Sequence, residues 1–122
     1  MSLSEKINSV IGNTYDYSSA NCWDLVMLLN ANAPKIDEVH ESIFSTAKKF
    51  KDYENENRDK CRMVLLPNDG DIVILGNGGL YTHAGIYYAD GVVHASKSGV
   101  IWQSLYTIKK LFSKQRAYRC EP

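Results

Sequence analysis

This sequence predicts an α+β fold, with N-terminal helices packed on one face of a small antiparallel sheet. Apolar residues recur at helical spacing through the first half of the chain, and short β-rich runs separated by turn residues fill the second; helices first and strands afterwards is the α+β order. The strongest local signal is Asp90-Gly91 between two β-forming runs, because a two-residue hairpin turn needs positive φ and Asp-Gly supplies it. At 122 residues the chain makes one domain, residues 1–122, large enough to bury a single core without disulfides or metal.

Ser4 to Ile11 reads as a short helix with Ile7, Val10 and Ile11 inward, stopped by Gly12-Asn13. Thr14 to Asn21 is polar, aromatic and loop-like. Cys22, Leu25, Val26 and Leu29 then fall at i, i+3, i+4 and i+7, the stripe of a buried helix with Asn21 or Ser19 as N-cap. Ala31 to Pro34 ends it. Asp37 to Lys51 follows as an amphipathic helix through Val39, Ile43, Ala47 and Phe50, with His40 on its polar side as a surface residue. Asp52 to Arg62, dense in both charges, reads as a mobile loop or an exposed helix end. Met63 to Leu66, Asp71 to Leu75, Gly99 to Trp102 and Ala117 to Cys120 join the hairpin in the sheet, with Tyr106 to Phe112 as a late helix or turn. Gly76 to Gly79 is a tight turn rather than a phosphate cradle, since no Lys-Ser/Thr follows it.

The stretch from Asp69 to Ser96 holds two of the three histidines. A strict turn at Asp90-Gly91 sets Ala89 opposite Val92 and Tyr87 opposite His94, so that His83, Gly85, Tyr87, His94 and Ser96 project from one face. That register leaves His83 and His94 four residues apart along the strand, roughly 13 Å of rise, too far for a hydrogen bond. A shifted register or a bulge is needed to bring the two imidazoles together.

Fourteen basic and fourteen acidic residues cancel, so the overall charge calls for neither nucleic acid nor a membrane surface. The basic C-terminal segment, Lys109, Lys110, Lys114, Arg116 and Arg119, reads as a solvated helix face. No signal peptide opens the chain, which implies synthesis in a cytoplasm, and no run reaches membrane-spanning length. Cys22, Cys61 and Cys120 are odd in number and irregularly spaced, the pattern of reduced thiols, with Cys61 and Cys120 as packing residues.

A cysteine in the first turn of a buried helix, with histidines far downstream on adjacent strands, is the arrangement of a thiol hydrolase. Cys22 is the candidate nucleophile, its thiolate favoured by the helix N-terminus; His83 is the candidate base and His94 the residue that orients it; the Cys22 amide is the candidate oxyanion donor. A metal site from the same three side chains is the lesser alternative, since it lacks a fourth ligand. An inert buried thiol on an ordinary core helix is the structural alternative.

These residues carry a family resemblance. Tyr15-x-Tyr17, Asn21-Cys22-Trp23-Asp24-Leu25-Val26, Gly70-Asp71-Ile72-Val73 after Pro67, His83-Ala84-Gly85-Ile86-Tyr87 and Val93-His94-Ala95 together resemble, in order and spacing, the NlpC-type cysteine peptidases, a papain-like group. The resemblance implies a papain-like NlpC-type fold over nearly the whole chain and a Cys22, His83, His94 triad that needs no metal or organic cofactor. It further implies cleavage of a peptide-type bond in peptidoglycan stem peptides, with Tyr15, Tyr17, Asn21 and Trp23 as substrate-binding residues. Asn21, Trp23 and Asp24 stand where the family usually has Asp, Ser and Gly; losing the Asp removes a charge partner for a substrate amine and leaves the acyl-transfer chemistry intact. Cys-Trp at the nucleophile is similar to variants in tail proteins of bacterial viruses, which implies a phage or prophage tail setting, tail proteins as partners, and action in a virion tail, periplasm or cell wall. A structural tail-tip protein that keeps the fold without efficient turnover is the rival expectation, with the Asp52 to Arg62 loop as its docking surface.

Overall fold

The computed structural model describes residues 1–14, 22–35 and 43–122. The architecture is α+β. Among the described residues three helices, α1 (Leu3–Val10), α2 (Cys22–Leu29) and α3 (Ile43–Glu56), precede strands β1 (Cys61–Val64), β2 (Ile72–Asn77), β3 (Leu80–Tyr88), β4 (Gly91–Ser96) and β5 (Gly99–Ser104), then α4 (Leu105–Leu111) and β6 (Lys114–Cys120). The strands form one antiparallel sheet in the order β1-β6-β2-β3-β4-β5.

The two helices whose caps are described, α1 and α4, each begin at a serine. Ser2 caps α1 in a capping box, its hydroxyl accepting from the Glu5 amide at 3.1 Å while Glu5 accepts from the Ser2 amide at 3.3 Å. Ser104 caps α4 through the Thr107 amide at 3.2 Å. The expected caps of α2, Ser19 and Asn21, lie outside the described residues, as do Tyr15, Tyr17, Val39 and His40. Strand alternation then divides the core between the two faces of the sheet. Ile72, Ile74, Ala84, Ile86, Val93, Ala95 and Val100 meet Ile7, Val10, Leu25, Val26, Leu29 and Phe50 of the first three helices, whereas Val73, Leu75, Tyr87, Val92 and Ala117 meet Ile108 of α4. Each fully buried Leu or Ile side chain contributes about 1.5–3 kcal/mol.

Four expectations are corrected. First, Cys61 and Cys120 are not reduced thiols: they are register partners on β1 and β6 and form a disulfide. Their 59-residue separation hides the pairing from any rule based on spacing, and the odd count reflects Cys22 alone standing outside the bridge. Second, of the two readings of the charged run from Asp52 onward, the loop is set aside and the helix end holds. The run is the end of α3 and a turn leading into β1, and it directs Glu54 inward to Arg116 at 2.9 Å and to the Tyr118 hydroxyl. Third, the basic C-terminal residues do not share a helix face. Lys109 and Lys110 lie in the last turn of α4, while Arg116 and Arg119 are on β6, Arg119 gripping the buried Asp71 carboxylate at 2.8 and 3.2 Å. Fourth, Gly76 and Asn77 belong to β2, and only Gly78 and Gly79, with φ +62° and +89°, make the turn. Among the described residues no helix is long and apolar enough to cross a membrane.

Candidate active site

The hairpin decides the geometry. Its turn is Ala89-Asp90, both with positive φ (48° and 57°), not Asp90-Gly91, and Tyr88 faces Gly91. Asp90 tolerates that conformation with its carboxylate accepting the Tyr87 hydroxyl at 2.8 Å, and the Ala89 amide donates to Asp69 at 2.9 Å. Gly91 is needed for a different reason. The Trp102 indole lies over it, so that a Cβ there would sit 2.4 Å from the ring, and the indole N–H donates to the Tyr88 carbonyl at 2.7 Å. Turning one residue earlier slides β4 by two positions, and His94 now faces Gly85 instead of Tyr87.

Gly85 is the empty place across which the histidines meet. His83 and His94 become diagonal neighbours on one face, and with no side chain between them His83 Nε2 lies 2.9 Å from His94 Nδ1. A Cβ on Gly85 would come within 2.5 Å of the Val93 carbonyl oxygen and 3.0 Å of the His94 Cβ. On β3 itself the register slips between Leu75 and Gly76 of its partner strand, so that Leu75 faces His83 and Gly76 faces Tyr81, an irregularity adjoining the histidine. The other nitrogen of His94, Nε2, is 2.6 Å from Gln103 Oε1 on β5. Phe112 closes the group, stacked on His83 at 5.9 Å between centroids and 10° between planes, and edge-on to His94. His94 is buried, and that burial lowers its pKa, the Gln103 and Ala95 hydrogen bonds only partly opposing it. It is neutral at pH 7.

Cys22 begins α2 as expected and is fully buried. Its sulfur lies within hydrogen-bonding reach of the Ala84 backbone on β3, the residue next to His83, and of its own amide and that of Trp23 in the first helical turn. The structure brings Cys22 to the β3 backbone on the face packed by the first helices, and joins the two histidines on the opposite face, against Phe112. The expected low thiol pKa is overturned: burial pushes Cys22 up to about 12, with the Ala84, Cys22 and Trp23 backbone hydrogen bonds pulling the other way and the Asp24 charge adding a small further rise. Desolvation outweighs the helix end. Such a thiol is protonated at rest.

Trp23 sits in the core. Its indole N–H donates to the Pro34 carbonyl at 2.7 Å and its ring packs on Phe50 at 5.7 Å, on the wall of a small apolar cavity shared with Tyr53, Ile72, Ile74 and Tyr118. Tyr15, Tyr17 and Asn21 lie outside the described residues. Gln103 was missed by the sequence reading because β5 was expected to end at Trp102; carried two residues further, strand alternation puts Gln103 on the histidine face. Among the described residues no group of three or more His, Cys, Asp or Glu side chains is disposed to hold a metal ion. The chain matches no protein-family model, and no curated protein gives a significant match.

Proposed function

We propose that this protein is a cysteine hydrolase acting on a peptide-type bond, with Cys22 as nucleophile, His83 as base and His94 as the residue that orients it. The observation that carries the reading is the hydrogen bond between His83 and His94, on the strand whose Ala84 backbone meets the Cys22 sulfur. The imidazoles project from the α4 face and Cys22 packs with the first helices on the other, so the transfer between Cys22 and His83 rests on the sequence resemblance. Because the resting thiol is protonated, attack needs a base at the moment of reaction. The Cys22 proton passes to His83 as sulfur bonds to the carbonyl carbon; the same proton is then given to the leaving amine as the C–N bond breaks. Water repeats the sequence on the thioester and restores the thiol. The Cys22 amide is the candidate donor to the oxyanion.

Peptidoglycan stem peptides as substrate, the papain-like NlpC-type fold and a phage or prophage tail setting rest on the sequence resemblance and are proposed on that basis. The Cys61–Cys120 disulfide supports action in an oxidising place, since such bridges persist outside reducing cytoplasm. Mass spectrometry of peptidoglycan and soluble muropeptides incubated with wild type and with Cys22→Ala tests the proposal. New fragments from the wild type alone support it and name the bond; identical spectra across several wall chemotypes reject it.

A second reading, a structural tail-tip protein with this fold and little turnover, is favoured by one observation: the Cys22 side chain has 0% exposure and a thiol pushed up to about 12. Alkylation kinetics separate the two. A hydrolase labels at Cys22 near neutral pH with a rate that responds to His83→Ala. A scaffold labels only as pH rises towards that high thiol value, and His83→Ala leaves the rate unchanged.

A further inference from the structure

We propose that Gln103 is a positioning residue that sets the tautomer of both histidines and thereby makes His83 a base; the inference deepens the hydrolase reading and rests on it for its catalytic consequence. Protons can be counted along the three side chains in turn. The Gln103 Oε1 atom has no proton to give, so its 2.6 Å contact with His94 requires an N–H on His94 Nε2. His94 is neutral and carries one ring proton, so its Nδ1 has a lone pair. The 2.9 Å contact between His94 Nδ1 and His83 Nε2 then requires the proton on His83 Nε2. A neutral His83 built this way has its remaining lone pair on Nδ1, the form that accepts a proton from a thiol.

Turning the Gln103 amide over reverses every link. Its NH2 would donate to His94 Nε2, His94 Nδ1–H would donate to His83 Nε2, and His83 would carry its proton on Nδ1, unable to act as base. One amide at the far end of the chain thus decides whether the near end accepts or donates. The same orientation serves the charged intermediate. When His83 holds the thiol proton, its Nε2–H still donates to His94 and the His94 Nε2–H to the Gln103 carbonyl, so the positive charge meets two aligned acceptors without any bond being remade. His94 and Gln103 touch no reacting atom; they act through His83.

Long-range nitrogen–proton NMR of the histidine rings in full-length wild type, Gln103→Leu and Gln103→Glu at pH 7.5 tests this, with hydrolysis of soluble muropeptides measured alongside. Wild type is expected to show the Nε2–H form at both His83 and His94. Gln103→Glu, whose carboxylate is also an acceptor, keeps both; Gln103→Leu loses the single form at His94 and lowers kcat by at least about tenfold with KM unchanged, since a mis-set tautomer in a hydrolase triad costs up to ~10⁴. A wild-type His94 in the Nδ1–H form, or a Gln103→Leu protein with unchanged tautomers, overturns the assignment. The spectra need no turnover, so the expected tautomers without any hydrolysis uphold Gln103 as their cause and count against the hydrolase reading alone.

Discussion

The two halves of the sheet are held in different ways. The β1-β6-β2 half is stapled: Cys61 is bonded to Cys120, Arg119 grips Asp71, whose carboxylate also accepts the Asn68 amide at 2.7 Å, and Glu54 joins Arg116 and Tyr118. Burial, together with the Glu54 hydrogen bond, pushes the Tyr118 phenol up to about 12, so it remains a hydrogen-bond donor throughout the neutral range. The β3-β4-β5 half has no disulfide or ion pair among its described residues, and its side-chain ties are the His83–His94–Gln103 hydrogen bonds and the Trp102 indole N–H to the Tyr88 carbonyl. It is held by close backbone approach at Gly85 and Gly91 and by the side chains that close over them. The difference teaches where precision is needed. The disulfide and the Arg119–Asp71 pair fix the first half through bonds between side chains, whereas the His83–His94 hydrogen bond depends on the register in which His94 faces Gly85.

Removing the staple should have the largest effect. Cys61→Ser with Cys120→Ser reopens a 59-residue separation in the unfolded chain and is expected to cost about 2–4 kcal/mol, read as a fall in Tm. Hydrogen exchange should then quicken in β1 and β6 while β3 and β4 stay protected; uniform loss of protection would erase the distinction between the halves. Gly85→Ala is the mirror experiment. Its Cβ would lie 2.5 Å from a backbone oxygen and 2.6 Å from Val92, an overpacking expected to cost about 1–3 kcal/mol. Exchange should quicken in β3 and β4, and NMR spectra should no longer show the hydrogen bond between His83 and His94.

A smaller loss, about 1 kcal/mol, is expected for Glu54→Gln in urea denaturation, because Glu54 and Arg116 each keep roughly a third of their side-chain surface in water and their attraction is screened. The histidine half should also respond to acid. His94 has a folded pKa lowered by burial, so the unfolded chain binds the proton more readily. Stability from the neutral ring is complete above about pH 6.5 and is lost as pH falls through the lower folded value. Tm should therefore drop between pH 7 and 5 in the wild type and drop less in His94→Gln; equal slopes would place the acid sensitivity elsewhere. The mildest change is Ala89→Gly, which relieves an alanine held at φ +48° and is expected to stabilise by up to about 1 kcal/mol without altering the histidine spectra.

What the sequence determined by itself was local. The bounds of α2, the inward stripe Cys22, Leu25, Val26, Leu29, the existence of a hairpin near Asp90 and the sharing of one face by His83, Gly85, Tyr87 and His94 follow from periodicity and φ preference, which act over a few residues. The tertiary structure decided the rest. Trp102, from another strand, lies over Gly91 in the register where the turn is Ala89-Asp90 and His94 faces Gly85. The distance between Cys61 and Cys120, the reach of Gln103 to His94 and the transfer of Glu54 from a charged run into an ion network all depend on which strands become neighbours. The thiol makes the same point energetically. Its place at a helix start is written in the sequence and favours ionisation, but the protonated state follows from desolvation, which depends on everything packed around the sulfur.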